Sequence, residues 1–171
     1  MGPSKKKEEK GFMALDHDNL WAKARVGSPT KTSAVEAFDK LVTKIVTEIG
    51  PIINILVFLP THPSNIWAAT YRKLGFFPVV CPRVPVKEGS EEEKDTVDET
   101  LTEYSEFAIE HIKELTFFVL CSGDQDFASL LRKAKRKGLK TVVVAGSTKS
   151  LSKELIDLAD TTMLFELTEA G

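Results

Sequence analysis

The sequence predicts an α/β domain with a mostly parallel central sheet, strand order 3-2-1-4-5 and helices on both faces. Three observations carry this. Short apolar runs at residues 12–15, 52–59, 76–81, 117–121, 141–145 and 163–167 are too brief and too continuously apolar for surface helices. Segments with helical periodicity separate them, and Gly50-Pro51, Gly75 and Gly138 close those segments.

Residues 1–10 are polar and charged and read as a flexible tail, with one domain expected over 11–171. The run 12–15 ends abruptly in Asp16-His17-Asp18-Asn19, as a buried strand does when its carboxyl end turns polar. A basic loop with Gly27, Ser28 and Pro29 leads to Ser33, read as an N-cap with Glu36 three residues on. Val35, Phe38, Leu41, Val42, Ile45 and Ile49 then recur at helical spacing. Residues 52–59 form a central strand, 64–74 a helix and 76–81 a third strand. The loop over 82–96, rich in proline and acids, is long enough to be expected mobile, functional or both. Val97, Leu101, Tyr104, Phe107, Ala108, Ile112 and Leu115 read as one helical stripe feeding the fourth strand, 117–121. A helix over 125–137, a fifth strand, a helix near 150–158 and a last strand at 163–167 complete the alternation.

At 171 residues the chain has the length of one domain, and 42% hydrophobic with 28% charged residues excludes overall disorder. No apolar run reaches the ~18–20 residues of a membrane helix, and the first ten residues lack the apolar region of a signal peptide. No membrane association and a cytoplasmic location are expected. Cys81 and Cys121 lack metal-type spacing and read as reduced, buried thiols. The net charge of −2 argues against holding nucleic acid by bulk charge alone, yet the charge is segregated. Residues 88–99 are acidic and 131–140 basic.

In a doubly wound sheet the ligand sits beyond the carboxyl ends of the strands, where the winding reverses. The first and fourth strands flank that point, and they end in Asp16-His17-Asp18-Asn19 and Ser122-Gly123-Asp124-Gln125-Asp126. Asp98 opens at the same edge, so Asp16, Asp98, Asp124 and Asp126 surround a small volume. Carboxylates so crowded repel one another and call for a cation; oxygen-only ligands suit Mg²⁺ or Mn²⁺. Such an ion polarises a phosphoryl oxygen and activates water, the chemistry of phosphodiester hydrolysis. Gly123 permits a tight exit from strand to helix, free N–H groups near Gln125 hold phosphate or cap an acid, and Asn19 can hold a ligand oxygen.

Several residues carry a resemblance: Asp16-x-x-Asn19 after an apolar strand; Val97-Asp98 before a helix; Ser122-Gly123-Asp124-Gln125-Asp126-Phe127 followed by Leu130-Leu131, Gly138 and a valine-rich strand; then Ser150-Leu151 and Leu158-Ala159-Asp160. In order and spacing, residues 12–167 resemble an NYN domain of the PIN-like nuclease superfamily. The resemblance implies a Rossmann-like sheet, Mg²⁺- or Mn²⁺-dependent ribonuclease activity, and a site of Asp16, Asp98, Asp124 and Asp126 with Asn19 and Ser122 beside it. Where the family often has Lys-Gly-Val-Asp and an acid about six residues later, this chain has Lys94-Asp95-Thr96-Val97-Asp98 and Tyr104.

Each residue has a plainer reading. Asp124 and Asp126 suit a helix N-terminus, Ser122 an N-cap, Asn19 a turn, and Asp98 a solvated acidic loop. Asp18 is undecided, and Asp160 reads as a structural helix-end residue. Lys23, Arg25 and Lys31 are placed to reach the backbone of single-stranded RNA, Trp21 stacks on a base or joins the core, and the basic stretch from Arg132 reads as a solvated face. His17 reads as incidental. Two rivals remain: a catalytically silent RNA- or protein-binding module, and a haloacid-dehalogenase-like phosphatase with Asp16 as nucleophile and Asp18 as acid/base. Two assemblies are open to a small single domain of this class: a homodimer, or reliance on a protein partner that chooses its target.

Overall fold

A computed structural model of the chain describes residues 7–24 and 30–167. Its elements in order are β1 (Gly11–Asp16), α1 (His17–Ala24), α2 (Lys31–Glu48), β2 (Ile52–Leu59), α3 (Thr61–Lys73), β3 (Phe77–Val80), β4 (Val84–Pro85), β5 (Glu93–Lys94), α4 (Val97–His111), β6 (Phe117–Cys121), α5 (Ala128–Arg136), β7 (Lys140–Ala145), α6 (Lys153–Leu158) and β8 (Thr161–Leu164). Six strands form one parallel sheet in the order β3-β2-β1-β6-β7-β8, as the alternating pattern predicts, with β8 added at the far edge. β4 and β5 pair antiparallel as a small ribbon inside the acidic 82–96 loop.

Strand alternation divides the core in two. Met13, Leu15, Phe117, Val119 and Cys121 pack with Phe38, Ile45 and Tyr71, under α1, α2 and α3. Phe12, Ala14, Phe58, Phe118 and Leu120 pack on the other face with Leu101, Ala108, Leu130 and Leu155, under α4, α5 and α6. Asp16 and Ser122 continue this second register, so both side chains are carried to the α4 face at the carboxyl ends of β1 and β6.

The structure corrects several local expectations. The segment after the first strand is a helix at once, α1, too short to show periodicity in the sequence. α2 begins at Lys31, and its N-cap is Thr30; Ser33 is the third helical residue and bonds back to Thr30 in a reciprocal capping box. Tyr104 and Phe107, read with the buried stripe of α4, are exposed: at 100° per residue the stripe through Leu101, Ser105, Ala108 and Ile109 leaves them on its flank. The last strand lies at 161–164; Phe165 still bonds to the Ala145 carbonyl at 2.8 Å, and Phe165 and Leu167 are buried. Glu9 and Lys10, counted with the tail, are tied to Thr116. Both cysteines are free and buried. Among the described residues no helix is long and apolar enough to cross a membrane.

Candidate metal centre

β1 and β6 are adjacent and parallel, with Leu15 opposite Cys121, so the residues that leave these strands meet. Asn19, in the first turn of α1, accepts the Gly123 N–H at 3.1 Å, and its own N–H reaches back to Asp16 Oδ1 at 3.4 Å. The Ser122 hydroxyl lies 3.5 Å from Asp16 Oδ2 and accepts the Asp124 N–H at 3.2 Å. These bonds fix the two strand exits relative to each other. Gly123 is required by close approach: a Cβ there would run into the backbone of Ser150.

Asp124 caps a single 3-10 turn, Gln125–Phe127, by accepting the Asp126 N–H at 2.9 Å. Capping uses one oxygen of Asp124 and leaves the other free to accept a ligand. Asp98 stands in the first turn of α4, and the carboxylate oxygens of Asp98, Asp124 and Asp126 come within 4.8 Å of one another. Octahedral Mg²⁺ or Mn²⁺ with bonds of about 2.1 Å separates its ligands by about 3 to 4 Å, and an all-oxygen donor set of this size fits it.

Asp16 lies behind the three. Only 4% exposed, its carboxyl is pushed up from 3.8 to about 7, first by burial and then by the charges of Asp98, Asp18 and Asp124, against the lowering bond from Asn19. Asp98 is also raised, by burial and then by Asp124, Asp95 and Asp126. Asp18 is raised by burial and by Asp95. Asp95 is the residue sequence reasoning missed. It accepts the Val97 N–H at 2.7 Å at the start of α4 and adds its charge to the crevice; its only signal was its place three residues before Asp98 in an acidic run.

His17, next to Asp16, belongs to the opposite face of the sheet. Trp21 Nε1 donates to the Tyr71 hydroxyl at 2.7 Å, and the hydroxyl lies 2.6 Å from His17 Nδ1. Indole only donates, so the tyrosine proton goes to Nδ1 and the imidazole is neutral. Burial holds His17 down at about 4. Trp21 packs on Trp67, with ring centroids 4.4 Å apart, and is core rather than a platform for a base. Asp160 accepts both the N–H and the hydroxyl of Thr141, which holds it below the usual carboxylate range; its role is structural. Three basic residues of α5 are engaged, Arg132 with Glu154, Lys133 with Glu106 and Glu110, and Lys135 with Asp160, and Lys137 just past the helix pairs with Glu110. Lys31 is exposed at the first position of α2. Arg25 and the Lys23 side chain lie outside the described residues. Tyr104 packs against Phe58, ring centroids 5.9 Å apart, and Phe58 is the register partner of Asp16. A separate cleft of about 730 Å³ lies between α2 and β8; none of the aspartates lines it.

Among solved structures the chain is similar to a protein of unknown function from Vibrio parahaemolyticus, at 20% identity and a TM-score of 0.69 over 95% of this chain and 96% of that one, which supports the fold. A weaker likeness to Staphylococcus aureus homoserine dehydrogenase, at 10% identity and a TM-score of 0.35 over 92% of this chain and 33% of that one, carries no argument. No curated protein matches. The family model of the NYN domain matches residues 14–166, from β1 through the end of the sheet and across every acid of the crevice, and the chain belongs to the NYN domain family.

Proposed function

We propose that this protein is a divalent-metal-dependent ribonuclease that hydrolyses phosphodiester bonds of single-stranded RNA, with Mg²⁺ or Mn²⁺ held by Asp16, Asp98, Asp124 and Asp126. The observation that carries the reading is the convergence of three carboxylates from two separate elements to within 4.8 Å, above a buried fourth. NYN domains are generally nucleases, and the crevice lies where a doubly wound sheet takes its ligand. RNA, rather than another phosphodiester, rests on the family resemblance.

A divalent ion supplies polarisation of the phosphoryl oxygen and a water that ionises near neutral pH. The chain's own residues do the rest. Asp16 keeps a proton near neutral pH and releases it as its oxygen takes up a cation. Asn19 and Ser122 hold the strand exits so that Asp16 and Asp124 keep their separation. Exposed Lys31, at the start of α2, supplies positive charge toward the phosphate backbone. The phosphatase reading loses support: Asp16 is buried and tends to protonate, which makes it a poor nucleophile, and Asp18 stands on α1. On the side of a silent binding module stands Tyr104, where the family often has an acid.

Purified protein with labelled single-stranded RNA, in Mn²⁺, Mg²⁺ or EDTA and beside Asp124→Asn, tests this. Asparagine keeps the cap, so the variant folds. Cleavage that needs the ion and falls at least a hundredfold in the variant is expected. Equal cleavage by both removes Asp124 from the site; inertness of the wild type across several RNAs moves the protein to the binding-module class.

A further inference from the structure

We infer that β8 is the edge through which two copies of this chain pair, their β8 strands running antiparallel so that the two sheets join. β3 and β8 are the edge strands of the sheet. In β3, Cys81 donates its N–H to the Leu59 carbonyl of β2, so by alternation Pro78 and Val80 face outward, and Pro78 has no N–H to offer. In β8, Phe165 donates to the Ala145 carbonyl of β7. The same alternation turns the N–H and C=O groups of Met163 toward β7 and those of Thr162 and Leu164 outward. Both outward residues are exposed, and among the described residues no strand pairs with that edge. Thr161–Leu164 carries no proline and no charge, two of the guards that keep an edge from pairing with another chain.

The strand is short, and the contact draws on the cleft beside it. This cleft of about 730 Å³ runs along the same edge: Thr162 to Glu166 line it without a gap, together with α2 and with Ile156 of α6. Leu164 is 40% exposed and Ile156 47%, apolar surface that a second copy would cover. The charged side chains of the cleft are sorted by end. The Phe38 ring of α2 stacks on Phe165, centroids 4.5 Å apart, and α2 leads from there to the amino edge of the sheet, where the Pro51 carbonyl accepts the Gly11 N–H. Lys44 lies about 9 Å of helix past Phe38, and Thr162 about 10 Å of strand before Phe165, in the same direction. Lys40 and Lys44 thus border the Thr162 end of the cleft, and Glu36 and Glu166 the other end. All four are exposed, and none has an ion-pair partner among the described residues.

This arrangement selects a second copy. A two-fold axis beside Met163 sets it opposite Met163 of the second copy and sets Thr162 opposite Leu164 of the second copy, where each pair exchanges both backbone hydrogen bonds. The axis keeps both α2 helices on one face of the joined sheet and reverses the cleft. Lys40 and Lys44 of each chain then come toward Glu36 and Glu166 of the other. A phosphate backbone in the cleft would meet Glu36 and Glu166, and a copy added in parallel would set like charges together.

Sedimentation of the full chain from micromolar to millimolar concentration, with amide exchange read by NMR, tests this. A dimer is expected, and exchange at Thr162 and Leu164 should slow at least tenfold as it forms, while the Phe165 amide, already bonded to Ala145, changes little. Lys40→Glu/Lys44→Glu makes the cleft wholly acidic and Glu36→Lys/Glu166→Lys makes it wholly basic; all four positions are exposed, so the fold is kept. Each variant alone should dimerise at least tenfold more weakly, and the two mixed in equal amounts should pair again. A monomer at every concentration overturns the proposal. So does a dimer that both variants leave intact, a mixture that stays monomeric, or protection that spares Thr162 and Leu164. Slowing of these two amides in a monomer by added single-stranded RNA gives the cleft to nucleic acid and overturns it as well.

Discussion

Asp16→Asn should stabilise the metal-free protein, and the gain should depend on pH. Aspartate 16 titrates at about 7 in the fold against an ordinary value of 3.8, so the folded state holds its proton more tightly than the unfolded state. Its contribution is favourable at acid pH and is lost as the pH rises from 3.8 through 7. The shift is about three units at about 1.4 kcal/mol each, an upper figure of about 4 kcal/mol that local relaxation and water reduce. Asparagine has no charge to bury, and its amide can still accept the Asn19 N–H and face the Ser122 hydroxyl. Two of the three units fall between pH 5 and 7, so in EDTA the stability difference between variant and wild type should widen by roughly 2–3 kcal/mol from pH 5 to pH 8. Urea unfolding at the two pH values measures it. A variant less stable than the wild type at pH 8, or a difference that does not move with pH, refutes the burial argument. Saturating Mn²⁺ should stabilise the wild type and have little effect on the variant.

Other consequences follow from the same geometry. Mn²⁺ affinity, read by calorimetry, should rise by up to tenfold per pH unit from pH 5 to 7, because binding must displace the Asp16 proton; affinity constant over that range contradicts its place at the ion. Tyr71→Phe removes the shared partner of Trp21 Nε1 and His17 Nδ1 and should cost about 1–3 kcal/mol in denaturant unfolding, with metal binding kept. His17, held at about 4 against 6.5, contributes stability present above 6.5 and lost as the pH falls toward 4; His17→Asn should flatten that loss. Gly123→Ala drives a methyl into the Ser150 backbone and should destabilise by about 1–3 kcal/mol while lowering cleavage, since the same turn carries Asp124.

The sheet was readable because buried parallel strands are continuous apolar runs, and the crevice because a doubly wound order places the ends of β1 and β6 side by side. What escaped the sequence depended on three-dimensional contact. α1 spans only His17–Ala24, too few residues for periodicity to separate a helix from a polar loop. Trp21 looked available to a base because nothing in the sequence places Tyr71 and Trp67 against it. Asp95 was hidden among neighbouring acids, and only the turn at the start of α4 aims its charge at Asp18 and Asp98. Tyr104 and Phe107 are apolar and near the buried stripe, so pattern alone assigned them to the core; their angular positions, to the side of Leu101, Ser105, Ala108 and Ile109, leave them outside it.

The most direct test of the metal centre is anomalous diffraction from crystals soaked in Mn²⁺. The carboxylate site requires a peak among Asp98, Asp124 and Asp126, with Asp16 oxygens turned toward it, and its loss in Asp124→Asn. A wild-type crystal at millimolar Mn²⁺ with no peak there, or with its peak at other carboxylates, contradicts the site and with it the proposed chemistry.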